Sequence, residues 1–141
     1  MSKIITSKKE LLKAFENDYY ALEYASEELK GDKEVVLKAI KKYGRALEYA
    51  TEELKRDKEV VLKAVSQDGH SLRYASEELK GDKVFVLKAL EKKGYALAYA
   101  SEDLRGDKEV VLDAVRQNGK ALKYASKELQ SDKDFLKLIK K

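Results

Sequence analysis

Residues 24–44 read YASEELKGDKEVVLKAIKKYG, and 25 residues later the chain reads YATEELKRDKEVVLKAVSQDG; the pattern then returns twice more. Tyrosine falls at Tyr24, Tyr49, Tyr74, Tyr99 and Tyr124, aspartate at Asp32, Asp57, Asp82, Asp107 and Asp132, and glycine at Gly44, Gly69, Gly94 and Gly119. No gap or insertion disturbs the phase. A period this short means that each unit is one small helical motif that buries its apolar surface only against its neighbours.

Each unit reads as two or three short helical pieces. Asp32 is placed to cap the first, its carboxylate accepting the free N–H groups of the opening turn. Val35, Val36, Leu37, Ala39 and Ile40 follow, a stripe wider than one face, as suits a helix packed on both sides. Gly44 is expected to end this helix in the left-handed conformation. The second piece, RALEYA, carries Ala46, Leu47, Tyr49 and Ala50 at helical spacing. Thr51, a serine in the other units, then caps a third piece containing Leu54, which is read as 3-10 or as a continuation of the second helix. With helices about 8–10 Å apart, five to six units make an all-α solenoid on the order of 50 Å long. Residues 1–141 are read as one domain.

The terminal units depart from the pattern. Glu10 stands where the second unit has Val35, and Tyr19 where it has Gly44. Lys137 stands in the place of Leu112 and Leu138 in that of Asp113. Residues 1–31 and 132–141 are therefore expected to be capping units that close the stack with a polar outer face.

The phrase ALEYASEELKGDKEVVLKAI, with its 25-residue return, resembles the tandem repeat family catalogued as domain of unknown function 4116, over roughly residues 20–136. The resemblance implies a helical repeat array and carries no activity with it. More distantly, the valine–alanine helix followed by a leucine–alanine segment is similar to leucine-rich variant repeats, which alternate α and 3-10 helices.

Composition narrows the function by exclusion. With 43% apolar residues the chain can bury a core, and with no cysteine it has neither disulfides nor thiolate metal sites. The opening MSKIITSKKELLKAF has no continuous apolar core of a signal peptide, and no stretch approaches 18 apolar residues. A soluble, cytoplasmic, monomeric protein is expected, with no membrane association. The net charge is +4, but it is spread thinly, between −1 and +2 per unit, unlike a phosphate-tracking face.

No catalytic constellation is present, so an enzyme and a cofactor are not expected. The single histidine, His70, shares its place in the repeat with Tyr20, Arg45, Tyr95 and Lys120, and is read as an exposed variable side chain. The glycines are singletons and build no phosphate loop. Rows of aspartate and glutamate are read as caps, neutralised by the lysines that follow them (Lys33, Lys58, Lys83, Lys108, Lys133). The tyrosine row is read as packing, each ring inward with its hydroxyl at the edge.

Variation between units is the more informative signal, because fixed positions serve the fold and variable ones are released from it. It concentrates beside the inter-helix turn, at Lys42, Tyr43, Arg45 and Glu48 in one unit, Gln67, His70 and Arg73 in the next, Lys93 and Tyr95 in the third, and Gln117, Lys120 and Lys123 in the fourth. Stacked, these residues would form one continuous edge, where repeat proteins place recognition. Tyrosine and arginine there suit a protein interface. The expected function is therefore a binding module for an unidentified protein partner, as an adaptor or stoichiometric inhibitor. Nucleic-acid binding through the lysines and arginines is the alternative. Val84, where other units carry Glu34, Glu59 and Glu109, is read either as a local apolar contact or as a neutral change.

Overall fold

A computed structural model describes residues 4–18 and 20–140; the substitution at Tyr19 lies outside them. Three rows of helices run along an all-α solenoid. The first holds the long helices Lys8–Ala14, Lys33–Lys42, Lys58–Gln67, Lys83–Lys92, Lys108–Gln117 and Lys133–Ile139. The second holds 3-10 helices, Ala21–Tyr24, Gly44–Tyr49, Gly69–Tyr74, Gly94–Tyr99 and Gly119–Tyr124. The third holds one-turn helices, Glu27–Lys30, Glu77–Lys80, Glu102–Arg105 and Lys127–Gln130, with a 3-10 turn at Leu54–Arg56. Successive long helices touch, and so do successive 3-10 helices.

Local chemistry sets the breaks. Each long helix after the first starts at an aspartate whose carboxylate accepts the N–H three residues on, at 3.0–3.2 Å; such a cap contributes about 1 kcal/mol. Ser7 does the same for the first helix, accepting from Glu10. The long helix buries Val35, Val36, Ala39 and Ile40 fully and Leu37 in part. The second piece is the 3-10 segment, and its reason lies in the spacing: Gly44, Leu47 and Ala50 are all buried at three-residue steps, the repeat of a 3-10 face. The third piece is α-helical in every full unit except the one with Thr51 and Arg56 in place of serine and glycine.

The third-row cap works in two directions. The Ser76 side chain accepts from Leu79 N, while its own N–H donates to the Lys55 carbonyl of the preceding unit at 2.9 Å. Thr51, Ser101 and Ser126 donate likewise to Lys30, Lys80 and Arg105. Ile5 supplies the same carbonyl for Ser26, at 2.9 Å. A carbonyl that a helix end would leave unpaired is thus satisfied by the next unit.

The glycines are not explained by handedness. No residue described has a positive φ, so the expected left-handed helix end is not formed. Gly44 instead begins the 3-10 helix, and a Cβ there would lie 2.8 Å from the Ala64 carbonyl oxygen of the next long helix. A Cβ on Gly94 would lie 2.9 Å from the Ala114 oxygen. Glycine is required because two backbones approach closely. At Gly119 an added Cβ meets nothing within 4 Å.

A lysine clip fixes the register. Lys33 reaches forward to the next unit, 2.9 Å from Asp57 and 2.8 Å from Glu59. Lys83 repeats this on Asp107 and Glu109 at 3.0 and 2.9 Å, and Lys8 on Asp32 and Glu34 at 3.1 and 3.4 Å. The lysine next to each aspartate therefore serves its neighbour's carboxylate rather than its own. Lys58 finds Val84 where the second carboxylate should be and holds only Asp82, at 3.7 Å. Val84 itself is 67% exposed. Lys108, facing the shorter Asp134, also holds one aspartate at 3.7 Å.

Burial alone would raise the Asp57 carboxyl, but the Lys33 ammonium and the Val60 N–H outweigh it and hold it below its usual value; Asp107, with Lys83 and Val110, behaves the same way. A carboxyl lowered by folding stabilises fully above its unfolded pKa and loses that contribution as pH falls through the folded one. Unfolding free energy should therefore fall between about pH 5 and about pH 2, measured by urea denaturation. The Asp57→Asn/Asp107→Asn variant should start lower and fall less steeply; an equal slope would place the acid sensitivity elsewhere. Gly44→Ala should cost about 1–3 kcal/mol by forcing the backbones apart, whereas Gly119→Ala should be neutral or stabilising by up to about 1 kcal/mol.

Candidate functional site

The twelve corner residues fall into two groups. Lys42, Glu48, Gln67, Arg73, Gln117, Lys120 and Lys123 are exposed, while Tyr43, Arg45, His70, Lys93 and Tyr95 are half-buried. The second group is taken up in contacts between units. Tyr43 meets Tyr20 edge-on at 5.2 Å between ring centroids. Arg45 Nε donates to Asp68 Oδ2 at 2.7 Å. The hydroxyl of Tyr95 accepts from Gly69 N at 3.0 Å.

His70 is not the exposed side chain its variability suggests. Its ring lies 4.9 Å from that of Tyr95 and 5.5 Å from that of Tyr99, and its Nδ1 shares a hydrogen bond with the Tyr99 hydroxyl. Its backbone N–H donates to Asp68 Oδ1, so Asp68 joins Arg45 of one unit to the 3-10 turn of the next. Burial would raise the Asp68 carboxyl, but the His70 N–H and the Arg45 guanidinium hold it below its usual value. One cluster therefore ties three units together. Asp68 varies between units (Asp18, Tyr43, Lys93, Asn118) and was passed over as part of the variable set. The signal that finds it is a short polar side chain two residues before the second residue of a 3-10 turn, since Asp18 and Asn118 cap their turns in the same way.

The tyrosine row packs as its spacing implies: Tyr49, Tyr74, Tyr99 and Tyr124 lie half-buried against the core, while Tyr24 is 39% exposed. Burial, with Glu48 alongside, pushes the Tyr49 hydroxyl up to about 12. The exposed cations of the corner then lie on this row, Arg73 5.8 Å above the Tyr74 ring and Lys123 5.1 Å above that of Tyr124. Among the described residues no carboxylate comes within ion-pair distance of Arg73, Lys120 or Lys123. Nor is any group of three or more histidines and carboxylates arranged to hold a metal ion. No helix described is long and apolar enough to cross a membrane.

The division has a measurable consequence. His70→Ala removes two ring contacts and a hydrogen bond and should cost about 1–2 kcal/mol. Lys120→Ala at the same place in its own unit should cost less than about 0.5 kcal/mol. Thermal melts of the two variants check this, and equal melting temperatures would show that the cluster does not hold the units together.

A family model described as Domain of unknown function (DUF4116) matches residues 9–55, 57–105 and 107–141, three tandem spans that cover nearly the whole chain. Each of the first two takes in two of the 25-residue units. No curated protein and no solved structure matches the chain. The chain belongs to the family described as Domain of unknown function (DUF4116).

Proposed function

We propose that this solenoid is a non-enzymatic binding scaffold, monomeric and cytoplasmic, that holds another protein along the exposed half of its corner. One observation carries the reading: the invariant residues are consumed in stacking, while Arg73, Lys120 and Lys123 differ from their counterparts, stand in solvent and, among the described residues, have no carboxylate within ion-pair distance. Cations laid over tyrosine rings are partly ordered before binding, which lowers the entropic cost of docking. A partner with an acidic surface fits them, and the role is that of an adaptor or a stoichiometric inhibitor.

Lys123 and Lys127, which line one groove, favour a second reading, nucleic-acid binding. The two separate in one experiment. The Arg73→Glu/Lys120→Glu/Lys123→Glu variant should keep the parent melting temperature and lose cross-linking to its partner from a photoreactive residue at position 67. Cross-linking that survives the triple change would remove the corner as the site. Fluorescence anisotropy against single-stranded RNA at low and physiological salt should stay flat; binding that falls steeply with salt, by a slope of about −0.7 per phosphate engaged, would replace protein capture with nucleic acid.

A further inference from the structure

Four of the five turns in the third row carry a cation at the same place, and one of these cations is unlike the rest. Lys30, Lys55 and Lys80 each fold back onto the glutamate three residues earlier, at 3.6, 3.5 and 3.1 Å from Glu27, Glu52 and Glu77. Arg105 has Glu102 at the same spacing, yet makes no ion pair with it among the described residues. Its Nε is buried and has no hydrogen-bond partner among the described residues, although the side chain as a whole is only half-buried. A buried N–H without an acceptor is costly, and such a group calls for an acceptor from outside the fold, such as a water or an ion.

The surroundings of Arg105 depart from the repeat in the same sense. Lys127 occupies the place of Glu27, Glu52, Glu77 and Glu102, and Lys123 that of Glu23, Glu48, Arg73 and Ala98. Gln130 replaces the cation of the next unit, and its side-chain amide turns back onto the carbonyls of Ala125 and Lys123, at 2.8 and 3.3 Å. These substitutions line one open groove of about 730 Å³ between Glu102–Arg105 and Lys127–Gln130, with Tyr124 in its wall. Glu102, Asp103 and Glu128 also border it; like Lys123 and Lys127 they are exposed side chains whose charge is screened by solvent. Among the charged side chains that line the groove, Arg105 alone is half-buried.

We propose that this groove is an anion site, in which the Arg105 guanidinium binds the oxyanion head of a small phosphate ester or carboxylic acid and Lys127 closes over it. Arginine suits the task better than the lysine of the other units, because its planar fork can give two parallel N–H bonds to one oxyanion. The groove meets the corner at Lys123, but Arg105 and Lys127 lie outside the corner, so the anion site does not depend on protein capture there.

The repeat supplies its own controls. Arg105→Lys and Lys127→Glu each install the residue that other units carry at that place, so neither should disturb the fold. In ¹⁵N-labelled protein the Arg105 Nε–H resonance should shift and saturate on titration with inorganic phosphate, phenyl phosphate or benzoate, with the other four arginines unmoved. Lys127→Glu should weaken the affinity at least about tenfold. In Arg105→Lys the reporter is gone, and saturation read from the Tyr124 and Lys127 amides should disappear. A response to the phosphates alone assigns a phosphate ester, and a response to benzoate as well assigns a carboxylate. A flat Arg105 signal, a shift shared by all five arginines, or an affinity unchanged in Lys127→Glu would each overturn the proposal.

Discussion

A helix with apolar surface on two sides has no stable place in a monomeric unit of 25 residues. It must be covered twice, and here the covering layers are copies of itself. Everything else in the structure manages the spacing and register of that contact. The glycines at 44, 69 and 94 let the next layer come close, the serine N–H groups tie the third row unit to unit, and the forward-reaching lysines set the axial position. The lysine pairs are half-exposed and individually weak, so their contribution lies in choosing among alignments that the apolar stripe alone would leave similar.

The seams are not all alike. Lys33 and Lys83 bind two carboxylates below 3.1 Å, and at those seams Gly44 and Gly94 abut the carbonyls of Ala64 and Ala114. Between them, Lys58 has a single partner at 3.7 Å and Gly69 abuts the Lys93 Cβ and the Tyr95 ring instead. The turn before each 3-10 helix alternates too, with Asp18, Asp68 and Asn118 capping it and Tyr43 and Lys93 not. A 50-residue period therefore overlies the 25-residue one in the turn caps, in keeping with the first two family matches, which span two units each. The lysine pairs do not follow it at the first seam, where Lys8 holds both Asp32 and Glu34. At the Lys58 seam, where Val84 stands in place of the second carboxylate, the His70–Tyr95–Tyr99 cluster adds a tie.

The period, the aspartate caps, the buried stripe and the packed tyrosines were legible in the sequence, because each depends on residues that recur at fixed spacing. The 3-10 row was not read from RALEYA, since Ala46, Leu47 and Ala50 satisfy an α-helical spacing as well as a 3-10 one; the decisive residue is Gly44, whose burial extends the three-residue step. Its left-handed turn was inferred from what glycine permits, whereas here it is required by what side chains would obstruct. Of the twelve corner residues, seven are exposed and five are half-buried between units. Variation marked Arg45, His70 and Tyr95 as released from the fold, but Arg45 is matched to Asp68 and His70 to Tyr95, so they vary as pairs that still hold neighbouring units. Contacts across a 25-residue step are invisible to a reading made one position at a time. Arg105 was missed because lysine-to-arginine looks conservative until the pairing of its counterparts is known.

The clip has a direction: each unit offers a lysine forward and presents an aspartate backward. A polymer of such links has the same donor on one side and the same acceptor on the other at every internal joint. A duplicated stretch of DNA encoding one whole unit, inserted at any of these joints, would bring its own donor and acceptor and leave no orphan at either border. Lengthening and shortening of the array by recombination then become changes that the fold tolerates from the first generation, and specificity can diversify afterwards in units that are already stably seated.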